Sequence, residues 1–173
     1  MTPRHYRLAF PILCLLACQD GETSDPGQGS PGTLSGTAVP ITRFTSDSFA
    51  YTFNSGITSR KEVVIRDQAA WSELWQNIHA TMTPAPPLPE VDFGQEMVLA
   101  AALGNRSGGG YDVVIAQAAE DAAGLHVEVA QTSPGAGCAT TQALTQPVDL
   151  ARVQRHEGPV EFVETQRVVH CDQ

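Results

Sequence analysis

The residues best suited to chemistry stand near the amino terminus. Arg4 and Arg7 precede the apolar run Leu8–Leu16, and Ala17 leads directly into Cys18. A basic start, a short apolar core and small residues at the cut are typical of a secretory signal, and bacterial lipoprotein maturation acylates a cysteine that follows the cut. The run is too short for a membrane span, which needs about 20 apolar residues. We therefore expect residues 1–17 to be removed and Cys18 to carry a lipid. An ordinary signal peptide with an incidental cysteine is the alternative.

Two other cysteines remain in the mature chain, since Cys14 is lost with the signal. Cys138 and Cys171 form an even pair in an oxidising compartment, which favours one disulfide. A metal pair or a reactive thiol is the alternative, but the chain has no Cys-x-x-Cys motif.

Other chemistry has little support in the sequence. The histidines beyond the signal lack the short spacing of a helical metal motif, there is no Gly-x-Ser-x-Gly elbow, and the acids form no readable dyad. Solvent-facing positions explain these residues without further assumption: His79, His126, His156 and His170, and Asp92, Asp112, Glu128 and Asp149. We predict no catalytic residue, no metal and no cofactor.

Charge and composition argue against a nucleic-acid partner and indicate how the chain is divided into a tether and a domain. Removing residues 1–17 takes away two arginines and no acid, so the formal charge changes from −9 to −11. A chain with a single lysine, Lys61, is a poor nucleic-acid binder, because phosphate contacts need clustered cations. Residues 18–38 are rich in Gly, Ser and Pro and predict a flexible tether. Residues 39–173 then form a single globular domain.

The hydrophobic pattern predicts mostly strands and one helix. Asp67 is a good N-cap for an amphipathic helix at about 68–80, whose apolar stripe is Trp71, Leu74, Trp75 and Ile78. The continuous apolar run Met97–Leu103 suits a strand buried on both faces. Further strands are expected at Phe49–Phe53, at Lys61–Arg66, around Val113 and Val127, and at Val148–Val153 and Val160–Val169. The expected fold class is α+β: a mainly antiparallel rolled sheet, open barrel or sandwich of about seven short strands with one helix.

An ordered set of short motifs resembles the C-terminal domain of the PrcB family over about Glu62–Phe162. The motifs are Trp71-Ser-Glu-Leu-Trp75, Val91-Asp92-Phe93, Val98–Gly104, Gly109-Gly110-Tyr111, and Pro134-Gly135 through Cys138 to Thr145-Gln146-Pro147. The family's Thr-Gly-Gly-Tyr stands here as Gly108-Gly109-Gly110-Tyr111, without the threonine. The resemblance implies a non-catalytic accessory lipoprotein that binds or stabilises a secreted or surface protease. A protease inhibitor or another extracytoplasmic ligand-binding module, and less favourably a small hydrolase, are the alternatives.

The glycine-rich stretch Asn105–Tyr111 is the candidate protein-binding loop. It is not a phosphate loop, because it lacks the Gly-Lys-Ser/Thr ending and no helix follows. Exposed glycine backbone beside a tyrosine can dock an extended partner chain. The proposed contact residues are Arg106, Gly108, Gly109, Gly110 and Tyr111. The alternatives are a plain turn whose Tyr111 enters the core, and a docking surface on the Pro84–Pro89 connector.

Cys18→Ala tests the anchor. Gln19, where Asp would retain the protein at the inner membrane, directs the expected anchor to the outer membrane. The substitution should abolish lipid labelling and leave the protein unanchored or unprocessed, as measured by radiolabelled fatty acid and membrane fractionation. Membrane partitioning of a cleaved Cys18→Ala variant would contradict the lipoprotein prediction.

Overall fold

The computed structural model describes residues 34–44 and 53–171. The predicted signal peptide, Cys18 and nearly all of the Phe49–Phe53 strand lie outside the described residues. The elements in chain order are β1 (Thr37–Ala38), β2 (Thr42–Arg43), β3 (Lys61–Ile65), α1 (Gln68–Ile78), β4 (Glu96–Ala102), β5 (Asp112–Asp121), β6 (Gly124–Pro134), β7 (Val148–Gln154) and β8 (Val160–Val169). Thr37 and Ala38, the last two residues of the predicted tether, are thus paired in a strand.

The strands form two sheets of four, in the orders β1-β5-β6-β8 and β2-β7-β4-β3. All pairings are antiparallel except β6 with β8, which is parallel. The short segment from β1 to β2 crosses from one sheet to the other. The predicted α+β class with a mainly antiparallel sheet is confirmed, and the sheets face each other as an open sandwich. Within the described ranges, no helix has the length and apolar character needed to cross a membrane.

Strand β4 lies at the centre, because both of its faces are covered. Met97, Leu99 and Ala101 pack into the core between the two sheets. Val98, Ala100 and Ala102 face the other way, into a second core that α1 covers. The molecule therefore has three layers, and the uninterrupted apolar run of β4 has the physical cause that the sequence pattern predicted.

Helix α1 begins where predicted and ends two residues earlier than expected. Asp67 caps it by accepting a hydrogen bond from the Ala70 N–H at 2.9 Å, and its four stripe residues are buried. The indole N–H groups of Trp71 and Trp75 donate to the carbonyls of Pro89 and Pro86 at 2.9 and 3.0 Å. The Pro84–Pro89 connector is thus held against the helix by both tryptophans.

Of the polar residues expected on solvated faces, Glu128 and His79 are buried and Asp149 is partly buried. Glu128 is 1% exposed because it accepts hydrogen bonds from Gln117 and Thr165 at 2.7 and 3.0 Å. His79, 2% exposed, closes α1 with Nδ1 at 2.9 Å from the Trp75 carbonyl. Asp149 pairs with Arg43 and accepts the Ile115 N–H at 2.7 Å. Burial raises the pKa of Asp149, although these two donors act in the opposite direction. Because both faces of β7 are covered, Asp149 lies on a packed face whichever way its side chain points.

Cys138 and Cys171 are joined in a disulfide across a sequence separation of 33 residues, in agreement with the pairing predicted. The bond fixes the end of β8 to the segment that follows β6, where the Gly135 N–H also donates to the Val169 carbonyl at 2.8 Å.

Cys138→Ser should lower the free energy of unfolding by about 2–4 kcal/mol, because the open chain regains the entropy of the closed loop. Cys171→Ser should have a similar effect, and the double variant should cost no more than either single change. Urea unfolding under oxidising conditions measures the loss, with reduced wild type as the control. Wild-type stability in both single variants would contradict this role.

Candidate functional site

The candidate loop connects β4 to β5, and its first half packs against residues 58–60. Gly104 has a φ of +71°, and a Cβ there would stand 2.7 Å from the backbone of Ser59 and Arg60. The next residue, Asn105, donates its N–H to the Thr58 carbonyl at 3.0 Å. Asn105–Tyr111, the glycine loop, therefore begins from a fixed position.

Residues 140–146, the threonine segment, hold the glycine loop along its length. Arg106 and Thr145 exchange two backbone hydrogen bonds, at 2.8 and 3.1 Å. Thr145 Oγ1 donates to the Gly108 carbonyl at 2.8 Å, and the Gly109 N–H donates to the Thr141 carbonyl at 3.1 Å. The threonine segment follows Cys138 directly, so the disulfide and the glycine loop are connected through one short stretch of chain.

Each of the three successive glycines has a steric reason to be glycine. A Cβ on Gly108 would lie 2.8 Å from the Thr141 carbonyl oxygen, and one on Gly109 would lie 2.7 Å from the Thr141 hydroxyl. Gly110 has a φ of +84°, where side chains are strained. Close approach explains Gly108 and Gly109, and positive φ explains Gly110.

Arg106 and Tyr111 lie together at the two ends of the glycine loop. The Arg106 guanidinium carbon is 5.7 Å from the centre of the Tyr111 ring, within the range of a cation–π contact. Tyr111 is half-buried and packs against the core between the sheets. The alternative interpretation, in which Tyr111 enters the core, therefore holds for part of its side chain. Both side chains line one pocket of ≈ 210 Å³.

The structure brings the five predicted contact residues into one place and separates them from the other candidates. Arg106, Gly108–Gly110 and Tyr111 share the glycine loop, whereas the Pro84–Pro89 connector lies against α1. Sequence reasoning missed Arg60, Gln131 and Gln166, which line the same pocket. The available signal was the strand alternation of β6 and β8, which places Gln131 and Gln166 on the inward face.

Ionisable clusters lie elsewhere on the surface. The His126 ring contacts Asp121 and Glu161, each at 3.1 Å, and its hydrogen bond to Asp121 raises the pKa of His126 against a smaller opposing effect of desolvation. His156 Nδ1 lies 3.3 Å from Glu120. In the part of the chain that the structure describes, no hydroxyl or thiol hydrogen-bonds a histidine, and no group of three or more His, Cys, Asp or Glu residues could hold a metal ion.

A known protein family matches the central part of this chain. Residues 97–154 match the family model described as PrcB C-terminal. The resemblance predicted from sequence is confirmed over this span. The PrcB C-terminal match runs from β4 through β7 and contains both the glycine loop and the threonine segment, while α1 and β8 lie outside it. Neither a search of curated proteins nor a search of solved structures returned a match.

Alanine substitutions should rank the three glycines by what each Cβ meets. Gly108→Ala and Gly110→Ala should each lower stability by about 1–2 kcal/mol, through a clash with a backbone oxygen and through positive φ respectively. Gly109→Ala should cost less, because the nearest atom belongs to a Thr141 hydroxyl that can rotate away. Chemical unfolding of the three variants gives the order. A Gly108→Ala variant as stable as wild type would contradict the close packing described.

Proposed function

We propose that this chain is a lipid-anchored, non-catalytic accessory protein that binds or stabilises a secreted or surface protease of the bacterial envelope. The observation that carries the proposal is the PrcB C-terminal match at residues 97–154, a family whose resemblance implies association with a protease. The glycine loop lies within that match, which supports it as part of the contact surface.

The rigidity of the glycine loop favours binding. Its backbone is fixed by residues 58–60 and by the threonine segment through five hydrogen bonds, four of them between backbone groups. A loop already ordered before association loses little conformational entropy on binding. Exposed Asn105, Ser107 and Gly110 leave polar backbone available at the surface, as docking of an extended chain requires.

Electrostatics favours a contact through Arg106. Among the described residues Arg106 makes no ion pair, and its Nη1 donates only to the neighbouring Asn105 carbonyl at 3.2 Å. A guanidinium with unused donors is an effective contact residue at protein interfaces. The strongly acidic chain, with a net charge of −9, therefore presents an unpaired cation at the proposed contact.

The proposed location follows from the amino terminus. A lipid on Cys18 would anchor the protein to the envelope, at the outer membrane by the identity of Gln19. A flexible tether of this composition spans roughly 25 Å on average. The domain could then meet a protease bound at the same membrane or secreted past it.

Arg106→Ala tests the contact surface. The variant should capture much less of the protease from solubilised envelope. Its free energy of unfolding should stay within about 0.5 kcal/mol of wild type, because Arg106 contributes no ion pair to the fold. The matched control is Arg167→Ala, an exposed arginine of β8. Pull-down with identification of the partner by mass spectrometry measures capture.

The outcomes separate the roles. Capture followed by a longer protease half-life supports a stabiliser, whereas capture with reduced peptide turnover supports an inhibitor. Full capture by Arg106→Ala and by a folded Gly109→Val variant would move the contact away from the glycine loop. Recovery of no protease with wild-type chain would contradict the proposed function itself.

A further inference from the structure

The inward-facing positions of β6 and β8 change from apolar to polar toward the C-terminal ends of the two strands. Along β6, the inward residues Leu125, Val127 and Val129 belong to the core between the sheets, and Gln131 and Ser133 continue the same face. Along β8, Val160 and Phe162 pack on this core. Their same-face successors Glu164 and Gln166 are in register with Val129 and Gln131. Gln131 and Ser133 are half-buried at this end, whereas Glu164 and Gln166 are exposed to solvent. Only the buried polar atoms of this end therefore need hydrogen-bond partners within the protein or from a ligand.

The glycine loop covers this polar end and forms the pocket of ≈ 210 Å³. Two arginines, Arg60 and Arg106, line the pocket with Tyr111, Gln131, Ser133 and Gln166, and no acidic residue is among the lining residues. The lining is therefore rich in hydrogen-bond donors.

Two side chains in the pocket have hydrogen-bond donors that the described residues leave unused. The Gln131 Nε2 atom is buried and has no hydrogen-bond partner. The guanidinium of Arg106 donates only to the carbonyl of the neighbouring Asn105, which leaves its other N–H groups unused. The other arginine is already compensated, since Arg60 pairs with Glu164 and lies 3.8 Å from Glu62. An acceptor bound in this pocket would satisfy the Gln131 donor, and a negatively charged acceptor would also balance the charge of Arg106.

We propose that this pocket binds a carboxylate, presented either as an acidic side chain or as a free chain terminus of a partner polypeptide. A carboxylate offers two oxygens with four lone pairs, which suits a guanidinium together with an amide N–H group. The volume of ≈ 210 Å³ is sufficient for one such group. Only the assignment of this carboxylate to the protease rests on the proposed function; the pocket can be tested without the protease.

The test titrates the purified full chain with matched short peptides, followed by calorimetry and by amide chemical shifts. The probes are acetyl-trialanine with a free terminal carboxylate, the same peptide as a terminal amide, and acetyl-Ala-Glu-Ala amide. At least one carboxylate peptide should bind at least about tenfold more tightly than the fully amidated one, with shifts at Arg106 and Gln131. Which of the two binds identifies the source of the carboxylate.

Variants locate the binding. Arg106→Ala should weaken binding of the carboxylate peptide at least about tenfold. Gln131→Glu, which has the same shape and replaces the free donor with a negative charge, should abolish it. Arg167→Ala is the control, because Arg167 neighbours Gln166 on β8 and alternation places it on the opposite face. Melting curves verify folding, and Arg106→Ala decides the matter if Gln131→Glu fails to fold.

Equal affinity for the amidated peptide, no binding of either carboxylate peptide, or unchanged binding by Arg106→Ala would each overturn the proposal. Carboxylate binding without protease capture would contradict the proposed function and support the pocket. Protease capture without carboxylate binding would do the reverse.

Discussion

Strand β4 is apolar at every position from Met97 to Ala102, and both of its faces have to be covered. One face requires the second sheet, and the other requires α1 with its two tryptophans. Burying a large aliphatic or aromatic side chain stabilises the folded state by about 1.5–3 kcal/mol. The need to cover both faces of this strand is therefore a main reason that the chain forms three layers. The layers in turn fix where β4 ends, and the glycine loop starts from that end.

The glycine loop depends on its neighbours more than on its own residues. Gly104 needs positive φ beside the backbone of residues 59 and 60, and Gly108 needs the space next to Thr141. The threonine segment that supplies most of its hydrogen bonds follows Cys138, and the disulfide holds that cysteine to the end of β8. Packing of β4, closure of the disulfide and shape of the loop are therefore linked, and a loop held in this way can present Arg106 and Tyr111 in one geometry.

Local patterns predicted what depends on neighbouring residues in the chain. The sequence predicted the apolar stripe of the helix, its N-cap Asp67 and the buried strand at Met97–Leu103, because each depends only on a local hydrophobic pattern or a capping residue. The burial of Glu128 and the partial burial of Asp149 could not be predicted from local patterns, because their partners Thr165 and Arg43 are distant in the sequence. His79 differs, because its partner is the carbonyl of Trp75, one helical turn earlier. The site divides similarly. The glycine loop was visible as a motif, whereas Arg60, Gln131 and Gln166 reach its pocket only through the sheet pairing.

The proposed function requires the glycine loop, held by the threonine segment, to meet the protease directly. Hydrogen–deuterium exchange of the full chain, free and in the complex recovered from solubilised envelope, tests it most directly. Binding through the loop should slow exchange at residues 105–111 and at residues 140–146, which hydrogen-bond to it, with little change on α1 and the Pro84–Pro89 connector. Protection of the connector and α1, with unchanged exchange at the glycine loop, would contradict it.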